Sequence, residues 1–276
     1  MSYKLLTVSG NPKVMKGDKV SKYLTAIMHL SPINTKICPY QDIAGCKEAC
    51  LNTAGRGGII KKGETTNVIQ EARKRKTNLY LEDRSSFMTY LITDIMKFVR
   101  YCEKKDKLPC IRLNGTSDIQ WETIPTKNTH YGISQMYLLQ EYAKYFEGYG
   151  HPEWKPCKEL VDLGWREAKN IFELFPDVQF YDYTKIPTRK VSEHKNYHLT
   201  WSYSEANMKY ANWFDKIAYN IAVVFNGDMP IYFKGREVVN GDETDLRFLD
   251  KSNVIVGLKA KGKAKKDTSG FVIQTA

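Results

Sequence analysis

Short, continuous apolar runs separated by polar loops recur along the chain. Such runs, unlike alternating ones, are typical of strands buried in a parallel sheet that helices cover. We place these strands at 23–30, 108–113, 175–185, 197–207, 221–227 and 253–262. Between the first two, residues 64–82 and 84–104 predict helices, the second from the three- and four-residue spacing of Phe87, Leu91, Ile95 and Phe98.

Polar residues collect where the predicted strands end, which is where α/β barrels and open α/β sheets place their sites. The order of strand, polar loop and helix therefore predicts one α/β domain over residues 1–276. We expect a parallel β/α barrel of the TIM-barrel type, closed or partial. Within it lie a cysteine loop at 31–58, an aromatic-rich insertion at about 128–156 and a basic C-terminal tail at 259–276.

Three of the six cysteines lie close together in the loop that follows the first predicted strand. Their spacing is C-x7-C-x3-C, formed by Cys38, Cys46 and Cys50. Three thiolates bind Zn²⁺ with His29 or water as the fourth ligand, or bind three irons of a [4Fe–4S] cluster and leave one iron open. The alternative is three separate buried thiols, because free cysteine packs as a small apolar residue. The clustering favours a metal.

Three further polar segments suit ligand binding. The first follows the second strand and offers donors and acceptors together with a glycine: Asn114, Gly115, Thr116, Ser117 and Asp118. The next, residues 182–189, carries Asp182, Lys185 and Arg189, which suit a substrate or a phosphate. The third contains Ser202 and Glu205. The alternatives are an ordinary turn, a solvated loop with a local ion pair, and a cap for the next helix.

The net charge of the chain also predicts a binding partner. The formal net charge is +11, from 42 basic and 31 acidic residues. Such an excess predicts contact with nucleic acid or a nucleotide, although solubility alone is the alternative explanation. The sequence has no apolar run of 18 residues and no secretory signal, so we expect no membrane span and a cytoplasmic location with reduced thiols.

The chain resembles a family of bacteriophage proteins of the "gene product 88" type, through segments that cover most of its length in order. These segments are LSPINTKICPYQDIAGCKEACLNTAGRGG, LNGTSDIQWE, QFYDYTKIPTR and YHLTWSYSEAN. It is more distantly similar to phage-associated radical-SAM barrel proteins. In those, a three-cysteine loop follows the first strand, and segments ending in Ser-Asp, Thr-Lys-x-Pro-x-Arg and Ser-x-Glu-Asn come later.

The radical-SAM resemblance implies a specific division of roles. Cys38, Cys46 and Cys50 would bind [4Fe–4S], although their spacing differs from the usual C-x3-C-x2-C. Residues 114–118, with Ser202 and Glu205, would hold S-adenosylmethionine (SAM), while Asp182, Lys185 and Arg189 would face the substrate. One electron passed to SAM would give a 5′-deoxyadenosyl radical that abstracts hydrogen. Together with the charge, this implies phage DNA modification in the host cytoplasm.

Two other functions remain open at this point. Asp182 to Arg189 is also similar to the Asp-x4-Pro-Thr-Arg segment of guanine transglycosylases, zinc-containing barrels in which the aspartate is a nucleophile. In that family the zinc ligands follow the nucleophile, whereas here the cysteines precede it. The remaining possibility is a nucleic-acid-binding protein without catalysis, in which the cysteines hold a structural metal.

Overall fold

The fold is given by a computed structural model that describes residues 4–8, 12–126 and 168–275. In these residues the strands are β1 Leu6–Val8, β2 Tyr23–Met28, β3 Leu108–Arg112, β4 Gln179–Thr184, β5 Tyr197–Ser202, β6 Ile221–Asn226, β7 Tyr232–Phe233, β8 Arg236–Asn240, β9 Ile255–Lys259 and β10 Val272–Gln274. The α-helices are α1 Pro12–Val20, α2 Val68–Glu82, α3 Arg84–Glu103, α4 Ile171–Leu174 and α5 Met208–Ala211.

The strands form one continuous mixed sheet. Its order is β1-β2-β3-β4-β5-β6-β9-β8-β7, and β10 pairs with β6 off this path. The pairs from β2 to β6, and those of β9 with β6 and β8, are parallel. The two outermost pairs, β1 with β2 and β7 with β8, are antiparallel.

The predicted closed or partial parallel β/α barrel is therefore wrong. The sheet is partly antiparallel, and β1 and β7 lie at its two ends without pairing to each other. Apolar runs identified the central parallel strands, because buried strands are apolar on both faces. The apolar runs did not show whether the sheet closes into a barrel, because closure requires hydrogen bonds between the two outermost strands.

The two long helices follow directly from the sequence. The Asn67 side chain accepts hydrogen bonds from the N–H groups of Ile69 and Gln70, which caps α2. Asp83 caps α3 through the N–H of Ser86. The predicted apolar stripe of α3 is buried, since Phe87, Leu91, Ile95 and Phe98 are each at most 4% exposed. Both helix predictions are confirmed.

Alternation along the strands separates two faces of the sheet. The α3 face is largely apolar: Ile111 of β3, Phe180 of β4 and Leu199 of β5 pack in one core with α3. The opposite face, which we call the α1 face, carries Cys110 and Tyr181 against Leu246. Asp18 of α1 binds Thr25 of β2 there, so α1 and the segment 244–250 cover this face.

Other predicted segments have mixed outcomes. The basic tail contributes β10, which pairs with β6 in parallel. Residues 12–20 form α1. The aromatic-rich insertion at 128–156 and Cys157 lie outside the described residues. In the ranges that the structure describes, no helix is long and apolar enough to cross a membrane.

Candidate functional site

The clustered cysteines lie in the loop between β2 and α2, at the carboxyl ends of the parallel strands. Cys38, Cys46 and Cys50 are free thiols, each partly buried. Tight local turns shape the loop: the Cys38 N–H donates to the carbonyl of Asn34 at 3.1 Å, and the Cys50 N–H to that of Lys47 at 3.4 Å. The loop thus lies at the edge of the sheet where polar residues were expected to gather.

The three thiols are near enough to affect one another's ionisation. Burial raises the pKa of each one, and the charges of Asp118, Cys50 and Cys46 raise the pKa of Cys38 further. One backbone N–H, that of Asn52, donates to Cys50 Sγ at 3.4 Å. The Cys46 thiol faces the carbonyl oxygen of Gln41 at 3.8 Å. Without a metal, these cysteines are therefore protonated thiols.

Among the residues that the structure describes, no group of three or more His, Cys, Asp or Glu side chains is arranged to hold one metal ion. His29, the expected fourth zinc ligand, lies in a cationic environment instead. Burial, helped by Arg73 and Arg112, lowers its pKa to about 3, so its imidazole is neutral.

A lysine connects the cysteine loop to the strand ends. Lys185 Nζ donates to Ser202 Oγ at 2.8 Å and lies 4.2 Å from the ring centroid of Phe271. Burial lowers the pKa of Lys185 to about 8, an effect opposed by the charges of Cys46, Asp118 and Cys50. The backbone N–H of Lys185 donates to Asp118 Oδ2 at 2.6 Å. Lys185, Ser202 and Asp118 thus meet beside the thiols.

An arginine approaches the loop from α2. Arg73 Nη1 donates to the carbonyl oxygen and to Oδ1 of Asn52, at 2.8 and 3.0 Å. Burial raises the pKa of Cys50, and the positive charges of Arg73 and Lys185 oppose part of that rise. Two cations from separate elements therefore favour the thiolate form at the same cysteine.

Asp182 lies elsewhere, on the α3 face of β4, and is fully buried. The Asn114 N–H donates to Asp182 Oδ1 at 2.7 Å, and the Tyr197 hydroxyl donates to Oδ2 at 3.0 Å. Burial nonetheless raises the pKa of Asp182 to about 7, because these donors and nearby Arg112 and Arg189 offset only part of the desolvation. A carboxylate held on both oxygens and closed to solvent does not suit an exposed nucleophile.

Arg189 forms a buried ion pair with Glu122, and its side chain is 0% exposed. Its Nε and Nη2 donate to the two carboxylate oxygens of Glu122 at 2.9 and 2.6 Å. Nη2 also donates to the Tyr197 hydroxyl at 2.7 Å, and Nη1 lies 3.4 Å from Asp118 Oδ1. With all its donor atoms engaged, Arg189 joins the segment 182–189 to the loop after β3 rather than facing a substrate.

The segment 114–118 also satisfies most of its own polar groups. Asn114 Oδ1 accepts from the Ser117 hydroxyl, the Ile119 N–H and the Trp121 indole. Thr116 Oγ1 donates to the carbonyl of Leu30 at 2.6 Å, which fixes the segment to the end of β2. A β-carbon at Gly115 would lie 2.5 Å from the Met28 carbonyl oxygen, so only glycine fits there. The segment is a rigid support beside the cysteine loop.

Glu205 does not join Ser202. Its carboxylate accepts from the Tyr203 hydroxyl at 2.8 Å and pairs with Lys234 at 3.5 Å, on a more exposed part of the surface. Ser204 lies beyond the end of β5, and its hydroxyl accepts from the Ala206 N–H. Of the predicted polar residues, Lys185, Ser202 and Asp118 come together at the thiols, whereas Asp182, Arg189 and Glu205 do not.

The sequence reading missed a second polar cluster, on the α1 face. Asp245 accepts from Lys13 at 2.9 Å, Arg112 at 3.0 Å and the Tyr181 hydroxyl at 3.0 Å. These cations hold the pKa of Asp245 well below its ordinary value despite burial. One signal was present: Arg112 is a charged residue inside an otherwise apolar strand, and such a residue requires a buried partner.

Comparison with known proteins gives one family. The family model described as "Gene product 88" matches residues 4–275. No curated protein and no solved structure matches the chain significantly.

Proposed function

The chain belongs to the gene product 88 family, and from the geometry of its cysteine loop we propose that it is a radical-SAM-like metalloenzyme. In this proposal Cys38, Cys46 and Cys50 hold a [4Fe–4S] cluster, and the substrate is a nucleotide or a nucleic acid. The observation that carries it is the grouping of three thiols with two cations, Lys185 and Arg73, at the carboxyl ends of the parallel strands.

The chemistry of these residues suits a thiolate-bound metal group. Three thiolates bring three negative charges, and a metal bound to them provides the positive charge that deprotonates a coordinating thiol. The remaining negative charge needs nearby cations and hydrogen-bond donors. Lys185 and Arg73 supply the cations, and the Asn52 N–H supplies a hydrogen bond to Cys50 Sγ. Hydrogen bonds to sulfur and local charge also set the reduction potential of such a cluster.

A single zinc ion and a [4Fe–4S] cluster place different demands on the three thiols. Zinc requires its ligands at about 2.0–2.3 Å from one centre, so zinc-bound thiolates nearly touch. In a [4Fe–4S] cluster each thiolate binds a different iron, and the sulfurs lie further apart. The thiols of this loop are near enough to influence one another's pKa, and metal analysis distinguishes the two groups.

A bound cluster with one open iron would supply one-electron reduction of SAM. The roles left to the chain are positional. Lys185 is oriented by Ser202 and holds a positive charge beside the thiols. Asp118 accepts from the Lys185 backbone and so fixes the segment 182–189 against the loop after β3. The substrate class rests on the net charge of +11.

Metal analysis of anaerobically purified protein tests the proposal. We expect a brown preparation with about four irons per chain. Cys38→Ser, Cys46→Ser and Cys50→Ser should each lose most of the iron. Cys102→Ala is the matched control, because Cys102 is a buried thiol of α3, remote in sequence from the loop; it should keep the iron.

SAM binding separates this proposal from a purely structural metal. Equilibrium dialysis with labelled SAM should show binding to the iron-loaded protein and to Cys102→Ala, and much weaker binding to Cys38→Ser. A colourless protein that holds one zinc per chain would refute the cluster. An iron-loaded protein without affinity for SAM would refute the radical-SAM assignment.

A further inference from the structure

The basic segment at 259–266, which we call the lysine turn, packs directly on the cysteine loop. It follows β9 and winds into a short 3₁₀ turn. Ala260 and Ala264 of the lysine turn are buried in a small apolar cluster with Ala49. Ala49 lies between the second and third cysteines of the loop. The alanines therefore hold the turn beside the thiols and leave its lysines on the outer side.

Further contacts extend along the loop on both sides of Ala49. An added β-carbon at Gly262 would lie 3.8 Å from Ala54 Cβ, so these two positions are in van der Waals contact. The Ser269 hydroxyl, a few residues after the turn, donates to the Gly45 carbonyl at 3.1 Å. The segment from the lysine turn to β10 thus borders the stretch of the loop that carries its last two thiols.

The lysine turn presents more positive charge than nearby carboxylates balance. Asp242 pairs with Lys261 at 2.6 Å. Asp267 follows the turn, and its carboxylate accepts from the Ser269 hydroxyl and from a backbone N–H of β10. In the part of the chain that the structure describes, the last three lysines of the turn form no ion pair. All five lysines of the turn are exposed: Lys259, Lys261, Lys263, Lys265 and Lys266.

The cysteine loop adds to this charge from the other side of the contact. Residues 31–64 contain five basic and three acidic side chains, and residues 259–270 contain five basic and one acidic. With Asp242 included, ten basic residues stand against five acidic ones on these neighbouring segments. The surface around the thiols therefore keeps an excess of positive charge after its acids are counted, which favours a polyanionic partner.

The side chains of the lysine turn suit a phosphodiester backbone. A lysine ammonium is a compact charge on a flexible stem, and it contacts phosphates without a fixed geometry. The turn has no aromatic ring on which a base would stack. Its only apolar side chains are the buried alanines, whereas surfaces that enter a membrane combine basic and large apolar side chains. Contact with phosphates alone would not depend on base sequence.

We propose that the lysine turn binds the phosphate backbone of a nucleic acid and holds the strand across the cysteine loop. This inference rests on the proposed nucleic-acid substrate and makes it more specific, because several lysines in a row require a polynucleotide rather than a free nucleotide. It does not require the cluster, since the lysines contact the ligand themselves. Ile59 and Ile60 are exposed beside Lys61 and Lys62, so an anionic membrane surface is the competing partner.

Fluorescence anisotropy of a labelled, mixed-sequence single-stranded DNA oligonucleotide with the full-length protein tests the turn. The variant Lys263→Ala/Lys265→Ala/Lys266→Ala should bind at least about tenfold more weakly. Its slope of log affinity against log salt should be smaller by about 2, since each of the three lost phosphate contacts removes about 0.7. A second oligonucleotide of different sequence should show the same loss.

The matched control removes the same charge from the opposite edge of the sheet. Lys16 and Lys19 of α1 and Lys104 at the end of α3 are exposed and precede the amino ends of β2 and β3. The variant Lys16→Ala/Lys19→Ala/Lys104→Ala should keep nearly the wild-type affinity and salt slope. Equal weakening in the control would overturn the proposal, because the effect would then come from net charge alone.

Three further results separate the partners and the position. A nucleoside 5′-monophosphate should not displace the oligonucleotide; displacement at similar concentrations would overturn a polynucleotide partner. Binding to phosphatidylserine vesicles without binding to the oligonucleotide would assign the turn to a membrane instead. An oligonucleotide with photoreactive bases should crosslink to peptides from 31–64 or 259–270, mapped by mass spectrometry. Crosslinks confined to other peptides would refute the placement.

Failure of this inference and failure of the cluster proposal give different results. The iron content should be unchanged in the lysine variant, and oligonucleotide binding should persist in Cys38→Ser. A wild-type protein that binds iron and SAM but no oligonucleotide would overturn the lysine turn as a nucleic-acid site and leave the cluster intact.

Discussion

At the scale of single residues, the most informative side chain is Asp182. The sequence suggests a substrate-facing acid, but the structure gives it the α3 face of β4, where Asn114 and Tyr197 hold its two oxygens. Tyr197 also accepts from Arg189, which clamps Glu122. Asp182, Tyr197 and Arg189 thus form a buried hydrogen-bonded network that joins the loops after β3 and β4 to the first residue of β5.

Asp182 should make the stability of the protein depend on pH. Its folded-state pKa of about 7 exceeds the ordinary value of 3.8. As the pH rises from about 4 to about 7, the unfolded state releases this proton while the folded state keeps it, so the free energy of unfolding falls. In Asp182→Asn this decrease should be smaller by about 2 kcal/mol between pH 5 and pH 7, as measured by urea unfolding.

Asp42→Asn serves as the control for this measurement, because its side chain is 59% exposed. It should follow the wild-type dependence on pH. If Asp182→Asn also follows the wild type from pH 4 to pH 8, Asp182 is not the protonated group that we describe.

At the scale of elements, the cysteine loop is fixed by distant parts of the chain. Gly45 has a φ of 63°, in the left-handed region that favours glycine. A β-carbon there would lie 2.6 Å from Ala206 Cβ and 2.7 Å from Ser269 Oγ. The Ser269 hydroxyl also donates to the Gly45 carbonyl at 3.1 Å. The segments after β5 and before β10 therefore hold the turn that leads into Cys46.

We expect Gly45→Ala to loosen this loop. The substitution combines left-handed backbone strain with steric overlap, and it should lower the free energy of unfolding by about 2–4 kcal/mol. It should also speed the reaction of the loop thiols with a disulfide reagent, measured under native conditions, since Cys46 follows directly.

Gly55→Ala is the matched control within the same loop. Gly55 has a φ of 56°, but no atom lies within 4 Å of an added β-carbon, so only the backbone strain remains. Gly55→Ala should lower the free energy of unfolding by about 1 kcal/mol, with little change in thiol reactivity. Equal effects of the two substitutions would mean that contact with residues 206 and 269 does not hold the loop.

At the scale of the whole molecule, charge is distributed over two edges of the sheet. Lys61 and Lys62 are exposed and follow the cysteine loop, near the carboxyl ends of the parallel strands. Lys16 and Lys19 are exposed on α1, which ends shortly before β2 begins, at the opposite edge. If nucleic acid is the substrate, Lys61 and Lys62 should contribute more to its binding than Lys16 and Lys19.

Binding to a single-stranded DNA oligonucleotide should weaken steeply with salt. The double variant Lys61→Glu/Lys62→Glu should bind more weakly, and its slope of log affinity against log salt should be smaller by about 1.4, since each of the two lost phosphate contacts removes about 0.7. Fluorescence anisotropy measures both quantities. Lys16→Glu/Lys19→Glu changes the net charge equally; if it weakens binding as much, the cysteine-loop edge is not the interface.

The sequence by itself determined the local elements and the chemistry available to them. Helix α3 follows from the spacing of Phe87, Leu91, Ile95 and Phe98, because 3.6-residue periodicity is a local property. The central parallel strands follow from their continuous apolar runs. The cysteine loop was visible from the spacing of Cys38, Cys46 and Cys50 alone, and Lys185, Asp118 and Ser202 do meet beside it.

Only the tertiary structure decided how these parts combine. Strand closure depends on hydrogen bonds between β1 and β7, which are distant in sequence, and that pairing is absent from the sheet order of the described strands. The side chains of Asp182 and Tyr183 point to opposite faces of the sheet, because successive residues of a strand alternate in direction. Arg112 and Asp245, 133 positions apart, became partners because a buried charge needs compensation. Long-range pairing of this kind leaves no local pattern.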